Sequence, residues 1–255
     1  MRVLVVGDIV GKPGRKAVSN LIPSLSLGHK LDIVIANGEN AAGGIGLTVS
    51  TANELFDSGI DVITSGNHIW AHKEINPYLN GDNAIIRPLN YPPSVPGRGY
   101  ILHQGILVVN LIGRTFMSNF DCPFRAMDQL LPEIRDKANI IIVDFHAEAT
   151  SEKVAMGRYL DGRVSAVLGT HTHVGTIDTK ILPAGTAYVT DIGMVGPVNS
   201  VIGDDIASVT ERFLTQINRR LSVATGEVEF NAVILELDEA TGKALEIKRI
   251  QRIVS

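Results

Sequence analysis

Residues 2–18 read RVLVVGDIVGKPGRKAV, and this stretch decides the fold class. The run Arg2–Gly7 is apolar and rich in valine, which favours a buried strand. An amphipathic stretch, Pro13–Leu27, follows it and ends before Gly28, which is the usual asymmetry of helix ends. A strand that leads directly into a helix predicts an α/β protein, with Asp8 at the point where the strand ends.

The same alternation of short apolar runs and amphipathic stretches continues along the chain. Further strands are predicted at Asp32–Ala36, Val62–Ser65, Ile106–Leu111, Ile140–Phe145 and Val164–Gly169. Further helices are predicted at Val49–Asp57, from Ser151 onward, and at Asp204–Arg219. An irregular segment is expected at Arg87–Tyr100, and an antiparallel hairpin is expected from Val228–Asp238 and Ala244–Ile253. We therefore expect one α/β domain over residues 1–255.

Composition narrows the class of protein. The chain has 255 residues, of which 45% are hydrophobic and 20% charged, as in soluble globular proteins. The net charge of -4 disfavours an extended nucleic-acid surface, but it leaves a small anionic substrate possible. The single cysteine, Cys122, has no partner for an internal disulfide, and no apolar segment is long enough to span a membrane. We expect a cytoplasmic protein, and a homo-oligomer is left open.

The glycines of the first loop do not match a nucleotide-binding motif. A Walker loop needs four residues between its glycines and a Ser or Thr after its lysine, whereas Gly7 and Gly11 are separated by three and Lys12 precedes Pro13. The dinucleotide fingerprint needs a glycine where Ile9 stands. A nicotinamide-dependent oxidoreductase is therefore disfavoured. The carboxylate between the glycines remains, either as a turn cap or as a ligand.

Polar groups of metal-ligand type follow four further predicted strands. They are NGEN at 37–40, GNHIW at 66–70, His146, and GTHTHVG at 169–175. Each alone also fits ordinary turn chemistry or a satisfied histidine. Four of the seven histidines follow strands, whereas His29, His72 and His103 do not. Strand ends on one edge of a sheet converge, so these groups predict a site with O and N ligands. In such a site a carboxylate can bridge two cations about 3.5 to 4 Å apart.

Five motifs, in order, resemble those of the calcineurin-like metallophosphoesterases, and of their YmdB-like branch in particular. They are GDIVGKPGR, NGENAAGG, SGNHIW, HAEATSEK and GTHTHV, and the resemblance extends from Arg2 to about Gly203. It implies a sandwich of two mixed β-sheets flanked by helices, and two metal ions, with iron the first choice and manganese the second. It also implies that one metal is held by Asp8, Glu39, Asn40 and His173 and the other by Glu39, Asn67, His146 and His171, with His68 as the catalytic acid.

Two residues depart from the broad superfamily pattern. Val10 stands where an Asp-x-His motif usually supplies an imidazole, and Asn40 is expected to fill that place. Glu39 stands where the bridging residue is usually Asp, so its arm is longer. These departures change the donor set from the one usual in the superfamily.

The resemblance implies hydrolysis of a phosphodiester, with 2′,3′-cyclic nucleotides as the leading substrate. We expect in-line attack by a hydroxide shared between the two metals, and protonation of the leaving oxygen by His68. Tyr91, Tyr100 and Phe116 are candidates to stack on a base, although core packing is the usual role of an aromatic residue. The alternative is a metal-containing regulatory or RNA-associated protein with weak or no turnover.

Overall fold

The structure, a computed structural model, describes residues 1–255 as two stacked β-sheets with helices on both outer faces. The strands are β1 (Arg2–Val6), β2 (Asp8–Ile9), β3 (Ile33–Asn37), β4 (Val62–Thr64), β5 (Tyr100–His103), β6 (Ile106–Ile112), β7 (Ile140–His146), β8 (Ala166–Thr170), β9 (Lys180–Ile181), β10 (Ala187–Val189), β11 (Met194–Pro197), β12 (Val228–Leu237) and β13 (Ala244–Val254). The helices are α1 (Gly11–His29), α2 (Val49–Asp57), α3 (Ile75–Leu79), α4 (Pro123–Ile134), α5 (Thr150–Leu160) and α6 (Ile206–Thr215).

Both sheets are mixed. The first has seven strands in the order β2-β11-β12-β1-β3-β4, with β13 paired to β12. The second has six strands in the order β5-β6-β7-β8-β10-β9. Strands β1, β3 and β4 are parallel to one another, as are β6, β7 and β8. Parallel strands need crossover connections, and the helices between them provide these.

Successive side chains along each strand point to opposite faces of its sheet, so they pack into different core layers. Val3 and Val5 of β1 face the second sheet, in a core of 19 buried residues between the two sheets. Leu4 and Val6 face the opposite way, in a core of 25 residues shared with α1 and α2. A third core of 17 residues lies between the second sheet and helices α4 and α5. Strands covered on both faces are mostly apolar, which explains why their sequences do not alternate regularly between apolar and polar residues. The expected sandwich of two mixed sheets flanked by helices is confirmed.

Most element boundaries follow the sequence closely. The limits of α2 agree with the sequence, the hairpin of β12 and β13 is present, and residues 87–100 are largely irregular. Helix α1 runs past Gly28 and ends where Lys30 takes a left-handed conformation, with φ 53°. None of the six helices is both long enough and apolar enough to cross a bilayer.

Other boundaries were predicted wrongly. Helix α6 ends at Thr215 because Gln216 is left-handed with φ 59°. Residues 216–219 were predicted to be helical and are not. Strand β8 starts at Ala166, since Val164 makes an isolated bridge to Asp161 instead. Helix α4 was missed altogether, and its interior Pro132 explains why, because proline usually ends a helix.

Candidate metal centre

The side chains singled out from the sequence lie at the carboxyl ends of strands from both sheets. Asp8 follows β1, Glu39 and Asn40 follow β3, Asn67 and His68 follow β4, His146 ends β7, and His171 and His173 follow β8. Contacts between side chains of the two sheets show that these ends meet at one place. Asp8, Glu39, Asn40 and His146 are each at most 2% exposed.

Glu39, His146 and His171 form the centre of the cluster. Nε2 of His146 lies 3.0 Å from Oε1 of Glu39 and 3.0 Å from Nδ1 of His171. One potential ligand atom from each of the three residues lies within 4.8 Å of those of the other two. Such mutual proximity of carboxylate oxygen and imidazole nitrogen suits a transition metal.

Asp8 joins this cluster to a second group of side chains. Oδ1 of Asp8 lies 3.8 Å from Nδ1 of His146 and 3.9 Å from Nε2 of His173. Nε2 of His173 is also 3.1 Å from Nδ2 of Asn40. The other carboxylate oxygen of Asp8 accepts a hydrogen bond of 3.2 Å from the backbone N–H of His171. The carboxylate is therefore oriented with Oδ1 towards the imidazoles.

Two buried oxygens in this region have no hydrogen-bond partner in the protein: Oδ1 of Asp8 and Oδ1 of Asn67. A buried polar atom without a partner costs about 1 to 3 kcal/mol, and more when it is charged. A cation would give both oxygens a partner. These orphaned oxygens and the mixed O and N donors fit the metal ions expected from the sequence.

His68 lies beside the cluster and faces outward. Its backbone N–H donates to Oε2 of Glu39 over 3.0 Å, and its Nδ1 lies 2.8 Å from the amide oxygen of Asn40. Because that oxygen only accepts, Nδ1 is the donor in this contact. The side chain is 35% exposed, so His68 has the solvent access needed to exchange a proton with a bound molecule.

Hydrogen bonds determine which ring nitrogen of His146 and of His173 is available to bind a metal ion. Nδ1 of His146 is 3.0 Å from the hydroxyl of Thr170, which itself donates to Asp144 over 2.6 Å. Nδ1 of His173 donates to the carbonyl of Ile202 over 2.7 Å. In both rings Nε2 is left to face the cluster, the usual arrangement behind a metal-binding histidine.

Burial and mutual charge shift the pKa values strongly. Burial raises the pKa of Asp8 to about 6. For Glu39 and His146 burial opposes ionisation, but their attraction for each other outweighs it. The pKa of Glu39 is lowered to about 2 and that of His146 is raised to about 9. Burial and the neighbouring charge of His146 lower the pKa of His171 to about 3. Clustered, strongly shifted groups of this kind are typical of functional sites.

The loop that carries His171 and His173 is strained and is held by a buried ion pair. Both histidines have positive φ, 98° and 64°, which is rare for residues other than glycine. Between them, Thr172 donates its backbone N–H and its hydroxyl to Oδ2 of Asp191, over 3.2 and 2.7 Å. The same oxygen lies 2.6 Å from the ammonium group of Lys153, and both side chains are at most 2% exposed. Asp191 and Lys153 therefore fix the loop in place.

Several supporting residues were not predicted from the sequence. Glu148 lies 3.1 Å from Nε2 of His171. Gly66 has no room for a side chain, because a Cβ there would collide with His146 and Glu39. Two signals were available. Asp144 is a charged residue inside the apolar run of β7, and the segment TDIG that contains Asp191 repeats the Asp-Ile pair at Asp8. The histidines expected to play no part lie elsewhere, as with His72, which contacts the carbonyl of Ile45.

Comparison with known proteins places this arrangement in a family. The family described as YmdB-like protein matches residues 4–250. A 2′,3′-cyclic-nucleotide 2′-phosphodiesterase of Bacillus subtilis (strain 168) is 46% identical over 254 residues, which cover 98% of this chain and 96% of that one. The crystal structure of a hypothetical protein from Thermus thermophilus shares 45% identity and a TM-score of 0.94, with 99% of both chains covered.

A solved structure of a phosphatase supports the same placement. The crystal structure of a novel phosphatase of Mycoplasma pneumoniae shares 33% identity and a TM-score of 0.93, with 99% of this chain and 93% of that one covered. The family match thus covers both sheets of the sandwich and the polar residues at the ends of their strands. The chain belongs to the YmdB-like family of metallophosphoesterases.

Proposed function

We propose that the protein is a two-metal phosphodiesterase that hydrolyses 2′,3′-cyclic nucleotides. As a metallophosphoesterase it is a hydrolase, and its family implies divalent metal ions. The substrate is inferred from the Bacillus subtilis relative, which is named for 2′,3′-cyclic nucleotides. The observation that carries the proposal is the unpaired Oδ1 of buried Asp8, which lies 3.8 to 3.9 Å from ring nitrogens of His146 and His173.

We assign the metal ligands as two sets that share Glu39. Asp8, Asn40 and His173 would join Glu39 around one metal, as the family resemblance implies, and the approach of His173 to Asp8 supports this set. Asn67, His146 and His171 join Glu39 around the other. The support is the grouping of Glu39, His146 and His171 and the unpaired oxygen of Asn67.

Iron is the first choice for these sites and manganese the second. The donors are carboxylate, carboxamide and imidazole with no thiolate, which suits both metals. Cys122 lines a separate cleft with Tyr91 and Tyr100, so it does not contribute to the donor set.

When bound, two such cations would supply positive charge to the phosphoryl oxygens and lower the pKa of a coordinated water. The chain's own residues do the rest. Asp144 and Thr170 keep the proton of His146 on Nδ1, and the carbonyl of Ile202 does the same for His173. His68 delivers a proton to the ribose oxygen that leaves phosphorus, as a general acid.

The deciding experiment measures hydrolysis of 2′,3′-cyclic AMP by the purified protein, together with its metal content. We expect turnover that a chelator abolishes and that iron or manganese restores. An Asp8→Ala variant should lose both metal and activity, whereas His72→Ala should keep both. Tight binding of RNA or protein that survives loss of Asp8, with no hydrolysis, would establish the regulatory alternative instead.

We also propose that residues 1–255 form one domain in the cytoplasm. The first strand, β1, pairs with β12 near the other end of the chain, and the two sheets share one core. The cellular location rests on the sequence alone, chiefly on the single cysteine.

A further inference from the structure

A cleft of about 660 Å³ is lined in part by Tyr91, whose ring packs against Trp70 in the turn that carries His68. We call it the aromatic cleft, and its lining includes Tyr91, Tyr100, Phe120, Arg114 and Arg125. Its volume lies within the range of about 300 to 1,000 Å³ that is usual for small-ligand pockets. Two of the three aromatic residues that are candidates to stack on a base, Tyr91 and Tyr100, line it. The third, Phe116, is 87% exposed and does not.

A row of aromatic rings runs from the aromatic cleft to the turn that carries His68. Trp70 lies two residues after His68, in the same turn. Its ring packs edge-on against Tyr91, with 4.6 Å between centroids, and Tyr91 contacts Phe120 at 4.7 Å. Burial, together with the nearby charge of Glu39, raises the pKa of Tyr91 to about 12. Tyr91 therefore stays neutral and lies within electrostatic range of Glu39.

The charges of the aromatic cleft indicate what it holds. Arg114 and Arg125 are balanced by Asp121 and Glu133 in the same lining. A balanced set does not favour a chain of phosphates, which needs excess cations. The arginines that form ion pairs in the protein are Arg2, Arg15, Arg163 and Arg219. The guanidinium groups of Arg114 and Arg125 are thus free to donate hydrogen bonds, and the carboxylates are free to accept them.

Neutral aromatic rings, unengaged donors and nearby acceptors match a nucleobase. We propose that the aromatic cleft receives the base of a mononucleotide while its phosphodiester lies at the metal centre. The base rests on the open side of the Tyr91 and Phe120 pair, because rings 4.7 Å apart leave no space between them. The identity of the phosphodiester rests on the proposed function, whereas the binding of a base does not.

A second cavity, of about 460 Å³, borders the metal centre beside His173. It has no aromatic residue other than His173 in its lining, which includes Val198 and Ile202. Its arginine, Arg249, already donates to the carbonyl of Thr176 and to Asn231. This cavity is therefore the poorer match to a base, and it provides a control.

The first test compares two substrates that differ only in the base. One is 2′,3′-cyclic AMP, and the other is 1-O-methylribose 2′,3′-cyclic phosphate, which keeps the ribose and the cyclic phosphodiester. Stacking on an aromatic side chain strengthens the binding of a base. Removing it in Tyr91→Leu or Phe120→Leu should raise KM for the nucleotide about tenfold. Turnover of the base-free substrate should change by less than about twofold, since stacking requires a base. Tyr91→Phe, which keeps the ring, should behave like the parent protein, as should Phe116→Leu.

The second test needs no turnover and no metal. Trp70 is the only tryptophan in the chain, so its fluorescence reports on the aromatic row. With chelator present, adenosine 3′-monophosphate should quench it and ribose 3-phosphate should not. Phe120→Leu should weaken the binding measured in this way about tenfold, and Val198→Ala should leave it unchanged.

The two proposals fail in different ways. If neither cyclic substrate is hydrolysed but the base still quenches Trp70, the proposed function is wrong and the base site stands. If the nucleotide is hydrolysed but the Tyr91→Leu and Phe120→Leu variants affect both substrates equally or neither of them, the base site is wrong. An increase in KM caused by Val198→Ala instead would place the base in the second cavity and would also overturn it.

Discussion

Replacing Lys153 by methionine should destabilise the protein more than most single substitutions. The ammonium group lies 2.6 Å from Oδ2 of Asp191, and both side chains are at most 2% exposed. Methionine fills a similar space but leaves the carboxylate buried without its counter-charge. Breaking a buried ion pair from one side costs about 3 to 5 kcal/mol of unfolding free energy.

The contacts of Asp191 refine that magnitude. Thr172 donates two hydrogen bonds to Oδ2, and the backbone N–H of Gly193 donates to Oδ1 over 2.8 Å. These three donors remain in the variant, so we expect the lower end of the range, about 3 kcal/mol. At about 2 to 4 °C per kcal/mol, the melting temperature should fall by about 6 to 12 °C.

The assay is unfolding of the metal-free protein by guanidinium. Two spectroscopic probes monitor it, and their transitions should coincide if unfolding is two-state. The matched control is the double variant Lys153→Met with Asp191→Asn. It removes the unpaired charge and keeps an acceptor for Thr172, so it should regain at least about half of the lost stability. A loss below about 1 kcal/mol in the single variant, or a double variant no more stable than the single one, would refute the argument.

Three further predictions concern other parts of the molecule. His68→Ala should lower kcat about 10²- to 10⁴-fold by removing the proton donor, with the metal content, measured by elemental analysis, unchanged; a fall in metal content instead would mean that His68 acts through the ligands. Gly66→Ala should lose metal in the same analysis, because its Cβ would collide with His146 and Glu39, whereas Gly28→Ala, with open space around it, should keep the metal. Gln216→Gly should raise the unfolding free energy by about 0.5 to 1 kcal/mol in denaturant titrations, since relief of the left-handed conformation exceeds glycine's entropic cost; a loss of stability would contradict this.

The parts of the fold that could be predicted from the sequence are those determined by local pattern. Strand β1 and helix α2 follow from an apolar run and from amphipathic spacing with a glycine after the helix. The short strands β9, β10 and β11, of two to four residues, were not predicted. Their strand character comes from pairing with neighbours that are distant in sequence, as when Met194 pairs with Asp8.

In the candidate site, too, local pattern indicated some residues, whereas others depend on contacts between distant parts of the chain. Asp8, Glu39 and His146 were found because each comes at the end of a recognisable strand. The groups that support them were missed, since Thr170 and Asp191 have a role only through contacts across 19 or more residues. A single sequence shows which residues can act as ligands, whereas the contacts that orient those ligands are seen only in the folded chain.

The position of β1 between β3 and β12 also has a consequence for how the chain is made. Partners such as Leu4 and Ile234 are separated by most of the sequence, and Asp8 pairs with Met194 of β11. During synthesis one edge of β1 therefore stays open until β12 has left the ribosome, and an open strand edge can pair with other chains. Removing the β12 and β13 hairpin would leave that edge uncovered for good, so truncated chains should accumulate as aggregates.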